Sequence, residues 1–160
     1  MGLPWLKTDL RQAQWTKWKD LQLRPGATDE EDALLDHDGN DDGWGTVGAV
    51  ALDVHGNLAA ATSTGGMTGK PAGRVGDTGI IGAGTWADSA IAVSCTGVGE
   101  AFIRTVAAHS MAIHHQTASL VQAAERVLDD VKPFGGRGGL IALNAHGEVV
   151  MPFQTMLMYR

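Results

Sequence analysis

The order of hydrophobic periods after residue 46 limits the fold more than any other feature. "TVGAVALDV", "LAAATST", "IIGAGTWA" and "AIAVSCTG" are short apolar runs separated by turn residues, and each reads as a β-strand. The first of them reads as a buried strand, opened by Thr46 and closed by a turn at His55-Gly56-Asn57. "GGMTGKPAGRVGD" is a loop. From about Glu100 to His115 the period lengthens: Phe102, Ile103, Val106 and Met111 recur at helical spacing. A second helix starts at Ser119, where Ser119 and Gln122 form a capping box ahead of an apolar face of Leu120, Val121, Ala124, Val127, Leu128 and Val131. Pro133, Gly135 and Gly136 end it. "GLIALNA", a turn and "EVVMPFQT" close the chain as a hairpin. Strands, two helices and strands in that order predict a layered α+β protein.

Residues 1–45 have another texture. "WLKTDLRQAQWTKWKDLQL", residues 5–23, predicts an amphipathic helix in which Trp5, Leu6, Trp15, Trp18 and Leu21 share part of a face. Pro25 and Gly26 end it. Residues 27–45 form an acidic, glycine-dotted linker with little to bury, for which disorder is the expectation. Residues 1–45 carry five Lys/Arg against ten Asp/Glu, so nearly all of the chain's net charge of −6 sits there. That balance argues against a nucleic-acid partner. One cysteine, Cys95, leaves no internal disulfide and fits a reducing compartment. The N-terminus has no secretory h-region, and no apolar run approaches the roughly 18 residues that span a bilayer. A cytoplasmic location is the expectation.

Several motifs lack the context their chemistry needs. "DGNDDG", residues 38–43, matches half of a calcium loop, but the twelfth position, where a bidentate Glu belongs, is Ala49. "GAGTWA", residues 82–87, matches G-x-G-x-x-A, yet Asp88-Ser89 leads into another strand rather than into the helix of a dinucleotide fold. His109, His114 and His115 form no i, i+4 pair, so no metal site is expected. Cys95 lies inside an apolar strand and reads as a buried, inert thiol.

The seam at Gly45–Thr46 is different. A threonine hydroxyl is a poor nucleophile unless a base takes its proton. Cutting the chain just before the threonine frees an α-amine beside the hydroxyl. Its unperturbed pKa of about 7.7–8.0 suits a general base near neutral pH. A flexible leader that withdraws and a strand that holds Thr46 rigidly are the parts such a device needs, although a Gly-Thr step alone also opens ordinary strands.

"GTVGAVALD", "GNLAAATSTGGMTGKPAGRVGD", "IIGAGTWAD", "AVSCTGVGE" and "GGLIAL" together resemble the plant-type L-asparaginase/isoaspartyl peptidase family of N-terminal nucleophile hydrolases. The resemblance runs almost continuously from Gly45 to the C-terminus. It implies a threonine-nucleophile amidohydrolase, cut by itself at Gly45-Thr46, that hydrolyses L-asparagine and β-aspartyl peptides. It implies that Thr46 is the nucleophile and that the Thr64 hydroxyl bonds to it. Arg74 and Asp77 match the pair that grips the substrate's α-carboxylate and α-ammonium. Thr96 and Gly97 match the oxyanion hole, and Gly97 and Gly99 line the substrate. No cofactor is implied.

The resemblance also implies an architecture. Residues 1–45 match the C-terminal tail of the family's α-subunit and residues 46–160 its β-subunit. The chain is then part of a four-layer αββα sandwich that lacks most of the α-subunit, where the family's structural sodium site would lie. Its expected partners are a small-molecule substrate, the missing α-subunit segment and further copies of the αβ unit, with no nucleic acid and no membrane. Met156-Leu157 replace the family's usual Glu-Gly. Two other readings use the same residues: a truncated, non-catalytic fragment, and a glycosylasparaginase-like relative.

Overall fold

A computed structural model describes residues 8–23, 45–155 and 158. The acidic linker before Gly45 with its "DGNDDG" run, the predicted helix start at Trp5 and Leu6, and Met156-Leu157 lie outside the described residues.

The first helix, α1, spans Asp9–Gln22. Of its expected apolar stripe, Trp15 does not turn inward; the side chain of Leu21 lies outside what is described. Gln14 is buried, whereas Trp15 is 43% exposed and carries the Lys19 ammonium 3.7 Å above its ring. A cation over an indole compensates part of the cost of leaving the ring in water. Trp18 is half-buried and lies against Gly69 of the long loop.

Two strands follow as an antiparallel hairpin, β1 (Val47–Leu52) and β2 (Leu58–Ser63), in register from Val47↔Ser63 to Leu52↔Leu58. Asp53 closes the turn: its Oδ1 accepts the N–H groups of His55 and Asn57, both at 2.8 Å, and Gly56 supplies φ 85°. The expected buried strand is open on one side. Val50, Leu52, Leu58, Ala60 and Thr62 are half-buried, while Val47 (60% exposed), Ala49, Ala51, Ala59 and Ala61 face solvent. A continuous apolar run does not state whether one face or both are covered.

The second sheet is wholly antiparallel, in the order β3 (Thr85–Ala87), β4 (Ile91–Gly97), β5 (Gly138–Asn144), β6 (Val149–Val150). Only Thr85–Ala87 of "IIGAGTWA" is strand. Residues 82 and 83 turn instead, and the Gly82 and Ala83 carbonyls accept the N–H groups of His109 and Ala108 at 2.8 and 3.1 Å. They satisfy two of the amides that every helix start leaves unpaired.

The single helix expected over residues 100–115 is two, α2 (Gly99–Thr105) and α3 (Ala107–His115). Val106 between them is left-handed, at φ 50°, ψ 49°. A β-branched residue is strained there. Because Val106 is half-exposed, glycine loses little burial in its place. Val106→Gly is expected to stabilise the chain by about 1 kcal/mol, net of the backbone entropy that glycine gives up. Thermal unfolding followed by circular dichroism would then rise by about 2–4 °C.

The last helix, α4, spans Leu120–Val131. Its capping box forms as the sequence predicts: Ser119 Oγ accepts from Gln122 N at 3.3 Å, and Gln122 Oε1 accepts from Ser119 N at 3.2 Å. Val121 is 53% exposed and leaves the predicted apolar face, and Ala123 takes its place in the core. Spacings of three and four from Leu120 run through 123, 124, 127, 128 and 131, and position 121 lies off that stripe.

The core lies between the helices and one face of the second sheet, where Ile91, Val93 and Cys95 of β4 and Leu140 and Ala142 of β5 meet Phe102, Met111, Val127 and Val131. Burying Phe102 fully is worth roughly 2–3 kcal/mol. Burial pushes the Cys95 thiol well above its ordinary pKa, so it stays protonated. The alternate β4 residues, Ala92 and Ser94, are buried on the opposite face, which the hairpin covers. Three hydroxyls knit that interface. Thr62 donates to Gly84 O at 3.1 Å, Ser94 Oγ lies 2.6 Å from Thr62 Oγ1, and Thr85 donates to Thr62. A Cβ at Gly48 would fall 2.2 Å from Ser94 Oγ, so only glycine lets β1 approach this closely. Hairpin, sheet and helices are thus three successive layers of an α+β structure. Among the described residues, no helix is long and apolar enough to cross a membrane.

Candidate active site

The hydroxyl contacts between the layers determine where the sheet ends fall. Gly48, Thr62 and Ser94 touch one another, and two residues further along each strand stand Thr46, Thr64 and Thr96. The N-terminal end of β1 and the C-terminal ends of β2 and β4 therefore meet at one rim of the sandwich.

A small cleft, open to solvent, lies at that rim. It is lined by Gly45, Thr46, Thr64, Gly66, Met67, Arg74, Gly76, Asp77, Thr78 and Gly97. Six of the sequence-predicted residues are brought together here: Gly45, Thr46, Thr64, Arg74, Asp77 and Gly97. Thr96 and Gly99 are not among the lining residues. Thr96 is half-buried in β4, paired with Gly139 and one residue short of the cleft wall. Gly99 is buried behind it, where a Cβ would lie 3.0 Å from both Arg74 Nη2 and Asp77 Oδ1.

Thr46 is half-buried, and its Oγ1 donates to Thr64 Oγ1 at 3.2 Å. Thr64 Oγ1 also accepts the Gly66 N–H at 3.1 Å. A hydroxyl that donates its proton gains electron density on oxygen, the direction that favours attack on a carbonyl. The Gly45–Thr46 peptide itself lines the cleft, so the hydroxyl and the bond before it share one space.

Gly97 ends β4 at φ 153°, and a Cβ there would lie 2.3 Å from Arg137 O and 2.6 Å from the Phe102 ring. No other residue fits, and the backbone at this point forms part of the cleft wall.

Asp77 starts a 3₁₀ turn, Asp77–Gly79, below the cleft. It is only 5% exposed, and among the described residues its Oδ2 accepts no hydrogen bond. Burial raises its pKa to about 6, against the opposing pull of backbone N–H groups and the Arg74 guanidinium. A buried carboxylate oxygen without a donor is a ready acceptor for a cation entering the cleft. Arg74 supplies the opposite charge in the same wall. Sequence reasoning did not single out Gly66, Met67, Gly76 or Thr78, which bear no obvious chemistry, nor Glu100, which bonds to Arg74. Among the described residues, no cluster of three or more His, Cys, Asp or Glu is placed to hold a metal ion.

A threonine hydroxyl that donates to a neighbouring hydroxyl, two opposite charges and a glycine backbone that admits no side chain share this one cleft. The family model Asparaginase_2, described as "Asparaginase", matches residues 3–160. An isoaspartyl peptidase of Escherichia coli (strain K12) is 53% identical over 142 residues, covering 84% of this chain and 44% of that protein. An isoaspartyl peptidase of Salmonella typhimurium is 57% identical over 120 residues, covering 72% of this chain and 38% of that protein. An isoaspartyl peptidase/L-asparaginase of Xenopus laevis is 48% identical over 120 residues, covering 72% and 38% respectively. The chain spans less than half the length of these curated relatives. Its match to the family model is nearly end to end, and the chain belongs to the Asparaginase_2 family.

Proposed function

We propose that this chain carries the nucleophile-bearing half of a threonine amidohydrolase that releases aspartate from L-asparagine and from β-aspartyl peptides. The observation that carries the proposal is the Thr46–Thr64 hydroxyl pair, set in one cleft with the Gly45 peptide, Arg74, Asp77 and Gly97. The names of the relatives support the substrate class.

Two acts follow. In the first, Thr46 Oγ attacks the Gly45 carbonyl carbon, and the C–N bond breaks as its nitrogen takes a proton. Water then splits the resulting ester into a Gly45 carboxylate and the regenerated Thr46 hydroxyl, beside the α-amine freed when the C–N bond broke. In the second, that amine takes the Thr46 hydroxyl proton while Oγ attacks the side-chain amide of the substrate. The Gly97 N–H meets the developing oxyanion, and the family resemblance adds the Thr96 hydroxyl, which stands one residue from the cleft wall. Arg74 holds the α-carboxylate and Asp77 the α-ammonium. Ammonia or an amine leaves with the proton, an aspartyl ester remains on Thr46, and water releases aspartate.

The second act belongs to an assembly larger than this chain. The solvent-facing side of the hairpin is lined by Val47, Ala49, Ala51, Ala59 and Ala61, and β1 and β2 pair only with each other among the described residues. An apolar face between open edges supports seating of the segment that the relatives carry beyond the matched region, whether it precedes this sequence or comes from a second chain. That segment would complete a four-layer αββα sandwich, and such αβ units would self-associate.

The test is to co-express the chain with the part of the Escherichia coli relative that it does not match. Mass spectrometry should find a fragment beginning at Thr46, and the assembly should release ammonia from L-asparagine and aspartate from β-aspartyl dipeptides. An assembly that forms, is cut at Thr46 and hydrolyses neither substrate would exclude the proposed activity.

A further inference from the structure

Arg74 is held in a slot. Its Nε donates to Glu100 Oε1 at 2.7 Å and its Nη2 to Glu100 Oε2 at 2.9 Å, a two-pronged pair that fixes the guanidinium plane. Its Nη2 also lies 3.3 Å from Met67 Sδ. Two glycines leave room for the head group. A Cβ at Gly76 would lie 2.9 Å from Nη1, and one at Gly99 would lie 3.0 Å from Nη2. The Arg74 side chain is 12% exposed and that of Glu100 is 54% exposed. Gly76 and Met67 both line the cleft, so the guanidinium meets it on the Gly76 side while Glu100 grips the Nε–Nη2 edge.

We propose that Glu100 is a positioning residue for substrate binding: it locks the Arg74 guanidinium between Gly76 and Gly99, so that the head group is held at the cleft wall to meet the α-carboxylate of the substrate. This rests on the amidohydrolase assignment above. An isolated arginine has several rotatable bonds, and ordering it costs binding free energy. Glu100 meets that cost before the ligand arrives. The Arg74 hydrogen bonds hold the Glu100 carboxyl below its ordinary pKa, so the clamp stays charged across the neutral range.

Its negative charge opposes an incoming carboxylate. Orientation outweighs this repulsion because Glu100 is more than half exposed and its long-range field is screened by water, whereas its two short bonds to Arg74 are not.

The test uses the assembled protein, with Glu100→Ala and Glu100→Gln. For L-asparagine, KM is expected to rise about tenfold in Glu100→Ala and less in Glu100→Gln, which keeps one acceptor, while kcat stays within about threefold. For β-alaninamide, which is asparagine without its α-carboxylate, kcat/KM should be the same in all three proteins. Calorimetric binding of L-aspartate should weaken by the same tenfold. An unchanged KM for asparagine, or an equal loss with β-alaninamide, overturns the assignment, the latter pointing to a purely structural role. If the unaltered protein binds L-aspartate, loses that binding in Glu100→Ala and yet releases no ammonia, positioning stands and the hydrolytic assignment falls.

Discussion

Thr46→Ala is expected to stop both proposed reactions at once. The chain stays whole across residues 45 and 46, and ammonia release by the assembly falls by at least about 10⁴-fold, the scale seen when a covalent nucleophile is removed. Neither loss should come from misfolding. Thr46 precedes β1 and is half-buried, and its Oγ1 contributes one exposed bond to Thr64. Thr46→Ser keeps a hydroxyl and should retain both reactions at reduced rates. Glu125→Gln, on the exposed side of α4 and away from the cleft, serves as the control and should leave both rates unchanged. Intact-mass measurement reports the first reaction and coupled ammonia release the second. A Thr46→Ala protein that still yields a fragment starting at residue 46, or still deaminates asparagine, would show that another group is the nucleophile.

One turn and one helix start were legible from sequence because their signals are local. The turn at Asp53–Asn57 and the capping box at Ser119 depend on side chains two to four residues from the backbone groups they serve. The features that escaped are decided by distant partners. The break at Val106 accompanies two amides of α3 that bond to carbonyls more than twenty residues earlier, at Gly82 and Ala83. The open side of β1 depends on what covers the hairpin, and Val47 reads the same whether or not anything does. Glu100 lies 26 residues from Arg74, and no spacing rule joins a loop guanidinium to a helix-start carboxylate. The hint that existed was a count of charges: between residues 74 and 100 Arg74 shares its stretch with three acids, Asp77, Asp88 and Glu100, two more than the proposed substrate grip needs. The roles of Thr64, Arg74, Asp77, Thr96, Gly97 and Gly99 all came from the resemblance, and Thr96 and Gly99 do not line the cleft.

Asp77→Asn should separate stability from binding. Asp77 is almost fully buried, with one oxygen lacking a donor, and burial lifts its pKa from 3.8 to about 6. The sign follows from proton linkage. Below the unfolded value both states are protonated and the group costs nothing. Between 3.8 and about 6 the unfolded chain releases its proton first, and above about 6 the folded chain bears the full penalty, on the order of 3 kcal/mol. Asparagine in its place has no charge to bury and can still accept from the Thr78 N–H, so Asp77→Asn should melt several degrees higher than the unaltered chain at pH 7. The difference should vanish below about pH 4. Binding should move the opposite way, because the proposed site needs the ionised form to meet an α-ammonium. L-Aspartate affinity should fall about tenfold per pH unit below pH 6 in the unaltered protein. At pH 7 it should fall roughly 100-fold in Asp77→Asn, which should also lose the dependence on pH. Thermal melts and calorimetric titrations between pH 4.5 and 8 report the two halves independently. A variant that binds L-aspartate normally at pH 7 would remove Asp77 from the substrate grip, and one that melts no higher there would mean that the carboxylate meets a donor within the folded protein.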